Sequence, residues 1–123
     1  MKNGEARNRL NIKYGARCLL TNVKLQKGSY HHIWKKEWGG TATEENGANL
    51  VPDIHQWLHN VIEANDIELF YLINECLQLY KKCLDTNNQE LIEQYEQECM
   101  PLFYEKYIEY TNSKGKMKHY GML

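Results

Sequence analysis

Four of the chain's five histidines fall within 29 positions, as His31, His32, His55 and His59. Histidine is both the commonest transition-metal ligand and the commonest general base near neutral pH. As a set the four positions follow neither a helical nor a strand period, so different elements must supply them. The sequence therefore suggests one site, built from several elements, for metal binding, base catalysis or both.

His55 and His59 lie four positions apart in a segment that favours a helix. Pro52 and Asp53 are residue types that commonly open a helix, which we expect to end near Glu63. The spacing i, i+4 places both imidazoles on one helix face, one turn apart. With a third histidine from a neighbouring strand, the pair forms a three-histidine site that leaves coordination positions open, as catalytic metal sites do.

The adjacent histidines fall in a segment whose aromatic and β-branched residues favour a strand, 29–34. Neighbouring residues of a strand point to opposite faces. One of His31 and His32 is therefore expected to face the metal, while the other acts as a base or packs. The segment 35–45 predicts a loop and 49–51 a second short strand, so the local plan is strand, loop, strand and helix.

The rest of the chain is predicted to be mostly helical. Further predicted elements are a short basic helix over 5–14 that ends at Gly15, a strand over Arg17–Leu20, a turn at Thr21-Asn22, a helix over Asp66–Leu84 capped by Asp66, and a helix over Gln89–Tyr110 that Pro101 kinks or breaks near Cys99. The last two helices are expected to form an antiparallel hairpin. The fold class is therefore α+β, with helices predominating.

Charge is divided unevenly along the chain, although the net charge is −1. Residues 1–45 carry a net charge of +5, residues 46–113 carry −9, and the three lysines of the tail add +3. The basic N-terminal part, next to the histidines, favours an anionic partner such as nucleic acid. The alternative is that the acidic and basic parts only solvate different faces of the protein.

Composition excludes several other classes of protein. A hydrophobic content of 42% and a charged content of 25% are ordinary for a folded domain. No apolar run is long enough to cross a membrane, and the first residues lack the apolar segment of a secretion signal, so we expect a cytoplasmic protein. The four cysteines contain no C-x-x-C pair, which argues against a structural zinc ribbon.

The segment YHHIWKKEWGGTATEENGANLVPDIHQWLH resembles the motif of the HNH endonuclease family, whose core is a ββα-metal fold. The pieces that match in order are His31-His32-Ile33, Gly39-Gly40, Asn46 and His55. The nine positions from Asn46 to His55, and the final H-x-x-x-H, are similar to the colicin-type DNase version of the motif. The resemblance covers residues 6–63. It departs from many members at Cys18, because Thr21 stands where a C-x-x-C knuckle would have its second cysteine, and at Trp34.

The resemblance implies a role for each residue of the motif. One divalent metal ion, Zn²⁺, Ni²⁺, Mn²⁺ or Mg²⁺, would be held by His31, His55 and His59. His32 would be the general base, and Asn46 would hold the loop and orient His32. The nine-residue spacing favours Asn46 over the competing Asn49.

Three loop residues have more than one interpretation. Lys35 and Lys36 lie beside the motif and either contact phosphates or are simply solvated. Trp38 either stacks on a ligand or packs against the protein.

The prediction is thus a metal-dependent HNH-type DNA endonuclease. Its expected parts are a nuclease core with a short N-terminal helix at 1–63, a helical hairpin at 64–112, and a basic mobile tail at 113–123. The alternatives are a non-catalytic, metal-stabilised module that binds nucleic acid or protein, and a nuclease active only within a larger phage assembly. The hairpin is a possible surface for a homodimer or a phage protein partner.

Overall fold

The sheet consists of two short antiparallel strands, β1 (Ser29–His32) and β2 (Gly47–Leu50). The computed structural model describes residues 2–26 and 28–121, with side chains up to residue 113. Within these ranges the helices are α1 (Asn3–Tyr14), α2 (Pro52–Trp57), α3 (Ile67–Asp85), α4 (Gln89–Gln94) and α5 (Met100–Gly121). A π-helical segment, Leu58–Glu63, extends α2, and a second one, Tyr95–Cys99, joins α4 to α5. The protein is therefore α+β and mostly helical, as predicted.

The ends of several helices follow from local chemistry. Helix α1 ends at Gly15, whose φ of 84° is accessible to glycine at low cost. Helix α3 begins after Asp66, whose side chain accepts a hydrogen bond from the backbone N–H of Leu69 at 3.1 Å. Pro101 has no N–H to donate, and the widened π-helical turn directly precedes it. The expected disturbance at Pro101 is therefore a local widening of a continuing helix.

The larger of two hydrophobic clusters among the described residues joins the sheet, α2 and the helical hairpin formed by α3 and α4–α5. Its buried residues include Leu20, Leu50, Ile54 and Leu58 from the first half of the chain and Phe70, Ile73, Leu77, Ile92 and Met100 from the second. Tyr80 and Tyr95 stack with their ring centroids 4.3 Å apart, which fixes the antiparallel arrangement of the hairpin. This cluster thus continues across residue 63, and the division of the chain into parts at that residue stays a prediction.

Helix α3 carries two polar residues on its buried face, Asn74 and Lys81. The ammonium of Lys81 donates hydrogen bonds to the carbonyl oxygens of Glu44 at 2.5 Å, Glu45 at 2.9 Å and Gly47 at 2.6 Å. These carbonyls lie at the start of β2, so Lys81 fastens the hairpin to the sheet. A buried ammonium is tolerated because all three of its protons have an acceptor.

The predicted strand over Arg17–Leu20 is wrong. Arg17 forms only an isolated bridge with Lys24, and the chain turns between them, with the N–H of Asn22 donating to the carbonyl of Cys18 at 2.8 Å. Leu19 and Leu20 are apolar because this turn is buried in the core, not because the backbone is extended.

The predicted tail at 113–123 continues helix α5 as far as Gly121. Met122 and Leu123 lie outside the described residues, and the mobility of this segment stays a prediction. Among the helices of the described ranges, none combines the length and the apolar character needed to cross a membrane.

We expect Lys81→Met to lower the free energy of unfolding by about 2–3 kcal/mol, because three carbonyl oxygens, two part-buried and one buried, lose a charged donor. Lys82→Met, one position further along α3 at an exposed site, is the matched control and should change it by less than about 0.5 kcal/mol. Urea denaturation of the two variants measures the difference. Equal effects would show that the three hydrogen bonds contribute no net stability.

Candidate metal centre

The side chains of His31, His55 and His59 converge on one point. His31 is fully buried on β1, and the other two follow one turn apart on α2 and its extension. One ring nitrogen from each lies within 4.8 Å of the others, and the Nε2 atoms of His55 and His59 are 3.0 Å apart. Two nitrogens at about 2.0–2.1 Å from one tetrahedral metal are about 3.3 Å apart. The three imidazoles are therefore close enough to bind one metal ion.

His31 owes its orientation to Asn74 of helix α3. The Nε2 atom of His31 lies 2.8 Å from Oδ1 of Asn74. An amide oxygen only accepts, so the proton of the neutral ring is on Nε2 and the lone pair is on Nδ1. This Nδ1 atom is buried and has no hydrogen-bond partner among the described residues. A buried, unpaired nitrogen lone pair is costly, and a metal ion at this point would satisfy it.

His59 is oriented by Glu63, one turn further along the same helical segment. Its Nδ1 donates to Oε1 of Glu63 at 2.9 Å, and in the neutral ring this places the lone pair on Nε2. Lys35 contributes an ion pair to the other carboxylate oxygen at 2.5 Å. Burial acts to raise the pKa of Glu63, but the hydrogen bonds from His59 and Lys35 outweigh it and lower the pKa. Glu63 is therefore an ionised acceptor that fixes the His59 ring.

His55 is held by Ser29, two residues before His31 on the same face of β1. Oγ of Ser29 lies 2.6 Å from Nδ1 of His55. With His59 in its neutral form, the 3.0 Å contact requires His55 Nε2 to donate to His59 Nε2, and Ser29 then donates to His55 Nδ1. For His55 to hold a metal through Nε2, its ring proton would have to be on Nδ1. A hydroxyl both donates and accepts, so Ser29 serves either tautomer.

Burial keeps two of the three histidines neutral. It lowers the pKa of His31 to about 3, although the hydrogen bond to Asn74 acts in the opposite direction. Burial and the nearby imidazoles of His59 and His32 lower the pKa of His55 to about 4. Neutral imidazole is the form that binds a metal, so protons do not compete with a metal at these two positions near pH 7.

His32 lies on the other face of β1 from His31. Its ring packs edge-on against Tyr30, with the centroids 4.8 Å apart, and is half-buried. It opens into a cleft of about 290 Å³, whose walls also include Lys35, Lys36, His55, His59 and Glu63. Burial, helped by Lys36 and His59, lowers the pKa of His32. A neutral histidine thus faces the same cleft as two of the candidate metal ligands.

Asn46 organises the loop between the strands. Its amide nitrogen donates to the carbonyls of Trp34 and Thr41, both at 3.0 Å, and its Oδ1 accepts from the N–H of Trp34 at 2.7 Å. These bonds hold the chain directly after β1, whereas the orienting of His32 stays a prediction. The competing Asn49 instead donates to Arg7 and Asn11 and ties α1 to the sheet.

The two lysines beside the motif differ in their surroundings. Lys35 is paired with Glu63 and lies 5.1 Å above the ring of Trp38. Lys36 is exposed at the mouth of the cleft.

Sequence reasoning missed the three residues that orient the ligands, Ser29, Glu63 and Asn74. Glu63 follows His59 at i+4, which is a recognisable helical pair. Asn74 interrupts an apolar stripe between Phe70 and Leu77, and a polar residue at such a position signals a buried partner. Nothing in the sequence singles out Ser29.

Comparison with known proteins adds no relative. No family model matches the chain, no curated protein matches it, and no solved structure matches it.

We expect Asn74→Leu to weaken metal binding about 10- to 100-fold, because His31 loses the acceptor that fixes its ring. Calorimetric titration of Zn²⁺ or Ni²⁺ into metal-free protein measures the affinity. Asn74→Asp keeps the acceptor and should bind the metal within a few-fold of the wild type. Gln78→Leu, an exposed position one turn further along α3, is the control for placing leucine on this helix. Unchanged affinity in Asn74→Leu would contradict the role of Asn74.

The metal-free protein should lose stability as the pH falls from 6.5 to about 4. In this window the unfolded chain protonates histidines that stay neutral in the folded state, where the pKa values of His31 and His55 are about 3 and about 4. Urea denaturation in EDTA at several pH values measures the slope of the free energy of unfolding against pH. His55→Gln should reduce it by about 1 kcal/mol per pH unit, and an unchanged slope in that variant would contradict the neutral state of His55.

Proposed function

We propose that the protein is a metal-dependent DNA endonuclease of the HNH type. The observation that carries the proposal is the convergence of His31, His55 and His59 beside a cleft that a fourth histidine and two lysines also line. The order β1, loop, β2 and α2 around these histidines agrees with the plan that the resemblance implies. A cytoplasmic location belongs to the same proposal, because DNA is the proposed substrate.

The metal would be held by His31 Nδ1 and by the Nε2 atoms of His55 and His59. When bound, it would act as a Lewis acid towards a non-bridging phosphate oxygen and the leaving 3′ oxygen. Three imidazoles suit Zn²⁺, Ni²⁺ or Mn²⁺ better than Mg²⁺ by ligand type. Three protein ligands also leave a coordination position for substrate, which favours a catalytic over a purely structural metal.

His32 is proposed as the general base, which takes a proton from the water that attacks phosphorus. Its lowered pKa keeps it neutral and able to accept this proton at pH 7. The edge-on contact with Tyr30 restricts its ring, and the cleft admits water and a phosphate on that side. Tyr30 is itself fixed, because its hydroxyl donates to the carbonyl of Thr43 at 2.7 Å and accepts from its N–H at 2.9 Å.

The other residues of the proposal bind and position. Lys36 is exposed at the cleft and is suited to contact a phosphate of the DNA backbone, and Lys35 adds positive charge at the same rim. Asn46 keeps β1, which carries both adjacent histidines, joined to the loop that follows it. A second copy of the chain, or a phage protein, at the hairpin stays a prediction.

The test is cleavage of a supercoiled plasmid with Mg²⁺, Mn²⁺, Ni²⁺ or Zn²⁺. His32→Ala should reduce cleavage by about 10²- to 10⁴-fold while metal affinity stays unchanged, because a general base contributes that much and His32 is not a ligand. His55→Ala should reduce both cleavage and metal affinity. His119→Ala alters the one histidine outside the cluster in the sequence and is the control.

Two outcomes would contradict the proposal. Cleavage retained by purified His32→Ala would exclude His32 as the base. Wild-type protein that binds the metal and DNA but leaves the plasmid intact with every metal would instead indicate a non-catalytic, metal-stabilised module.

A further inference from the structure

An aromatic pocket adjoins the metal cleft at Trp38, whose ring lies 5.1 Å from the ammonium of the cleft residue Lys35. It has a volume of about 480 Å³, and Trp34, Trp38 and Tyr71 form its aromatic walls. These side chains are 54%, 42% and 41% exposed. Adjacent, exposed tryptophans leave a large apolar surface in contact with water, which is unusual unless a ligand covers it.

The pocket is held in shape by its own hydrogen bonds. The indole N–H of Trp34 donates to the carbonyl of Trp38 at 2.9 Å, and the side chain of Asn46 binds both backbone groups of Trp34. Gly40 lies against the carbonyl of Trp34 so closely that a side chain there would collide with it. The ring centroids of Trp34 and Trp38 are 5.1 Å apart, and those of Trp38 and Tyr71 are 5.8 Å apart.

The residues of the pocket wall favour a nucleobase over a phosphate as the bound group. Asn74, Glu75 and Gln78 supply the polar groups of the pocket, so that it contains a carboxylate and amides but no cation. A carboxylate repels phosphate and accepts hydrogen bonds from the exocyclic amino groups of bases. The lysines line the metal cleft instead: Lys35 is paired with Glu63 and lies 5.1 Å from the ring of Trp38, and Lys36 is exposed.

We propose that this aromatic pocket receives an unpaired nucleobase of the strand whose phosphate lies in the metal cleft. The inference rests on the proposed nuclease function and names its substrate class, which is DNA with unpaired bases. A base can stack on an indole only when it has left its own base stack, so a regular duplex cannot fill the pocket. Trp38 and Tyr71 are then binding residues that determine specificity for unpaired strands.

The test measures binding of fluorescently labelled oligonucleotides in EDTA, so that no cleavage occurs. The ligands are a single-stranded DNA, the duplex of the same sequence, the single strand with abasic sites in place of its bases, and the single-stranded RNA of that sequence. Wild-type protein should bind the single strand more tightly than the duplex or the abasic strand. Equal binding to the RNA would mean that the pocket recognises unpaired bases of either nucleic acid.

Trp38→Ala and Tyr71→Ala should each weaken binding of the single strand by about 5- to 100-fold, the range that stacking of one base supplies. Binding of the duplex should change by less than about two-fold. Trp38→Phe keeps an aromatic face and should restore most of the affinity. Tyr104→Ala is the control, because Tyr104 is also 42% exposed but lies on α5.

Several results would contradict the proposal that the aromatic pocket binds an unpaired base. They are equal losses for single strand and duplex, no loss in either variant, no binding of any oligonucleotide, or a wild-type dimer in solution that Trp38→Ala dissociates. Cleavage with added metal is assayed separately. Selective binding of the single strand without cleavage would contradict the proposed nuclease function but not the proposed role of the pocket. Cleavage of every substrate by Trp38→Ala at the wild-type rate would contradict only the proposed role of the pocket.

Discussion

The hydrogen bond between His31 and Asn74 is the interaction on which the candidate metal centre depends. His31 has no contact with solvent, so its two ring nitrogens must find partners inside the protein. Asn74 satisfies Nε2 and thereby directs the Nδ1 lone pair to the two helical histidines. Because Asn74 belongs to α3, the centre is incomplete without the hairpin, even though all three proposed ligands precede residue 60.

The second buried polar residue of α3 has a related role. Two strands of four residues are at best marginally stable alone, and this sheet gains its stability from the helices that cover it. Lys81 binds three carbonyls at the start of β2, and Asn74 binds the middle of β1. Apolar packing alone would let α3 slide along the sheet, whereas these directional bonds admit one register. Residues of the hairpin thus position the strand that carries the candidate site.

The sequence predicted the local parts of the structure better than the connections between them. Both strands, α2 with its extension and the turn of helix between His55 and His59 depend on residues close together in the chain, where periodicity and capping are informative. The contact between His31 and Asn74 spans 43 positions and depends on how α3 packs. The wrong strand at Arg17–Leu20 has a local cause. An apolar run indicates that the segment is buried, but it does not show whether the buried backbone is a strand or a turn.

The charges around the centre suit the proposed reaction. A histidine that binds a metal does so as an uncharged imidazole, so a divalent ion held by the three proposed ligands would keep its full positive charge for an anionic substrate, which carboxylate ligands would partly cancel. The nearest carboxylate, Glu63, is compensated by its ion pair with Lys35 and its bond to His59. The other carboxylate of the cleft, Glu37, also lies 3.8 Å from Lys35, so that Lys36 and a neutral His32 face the cleft beside two carboxylates that share one lysine. Because Glu75 lines the aromatic pocket, the proposed nucleotide would bind in one orientation, with its phosphate in the cleft and its base against Trp38.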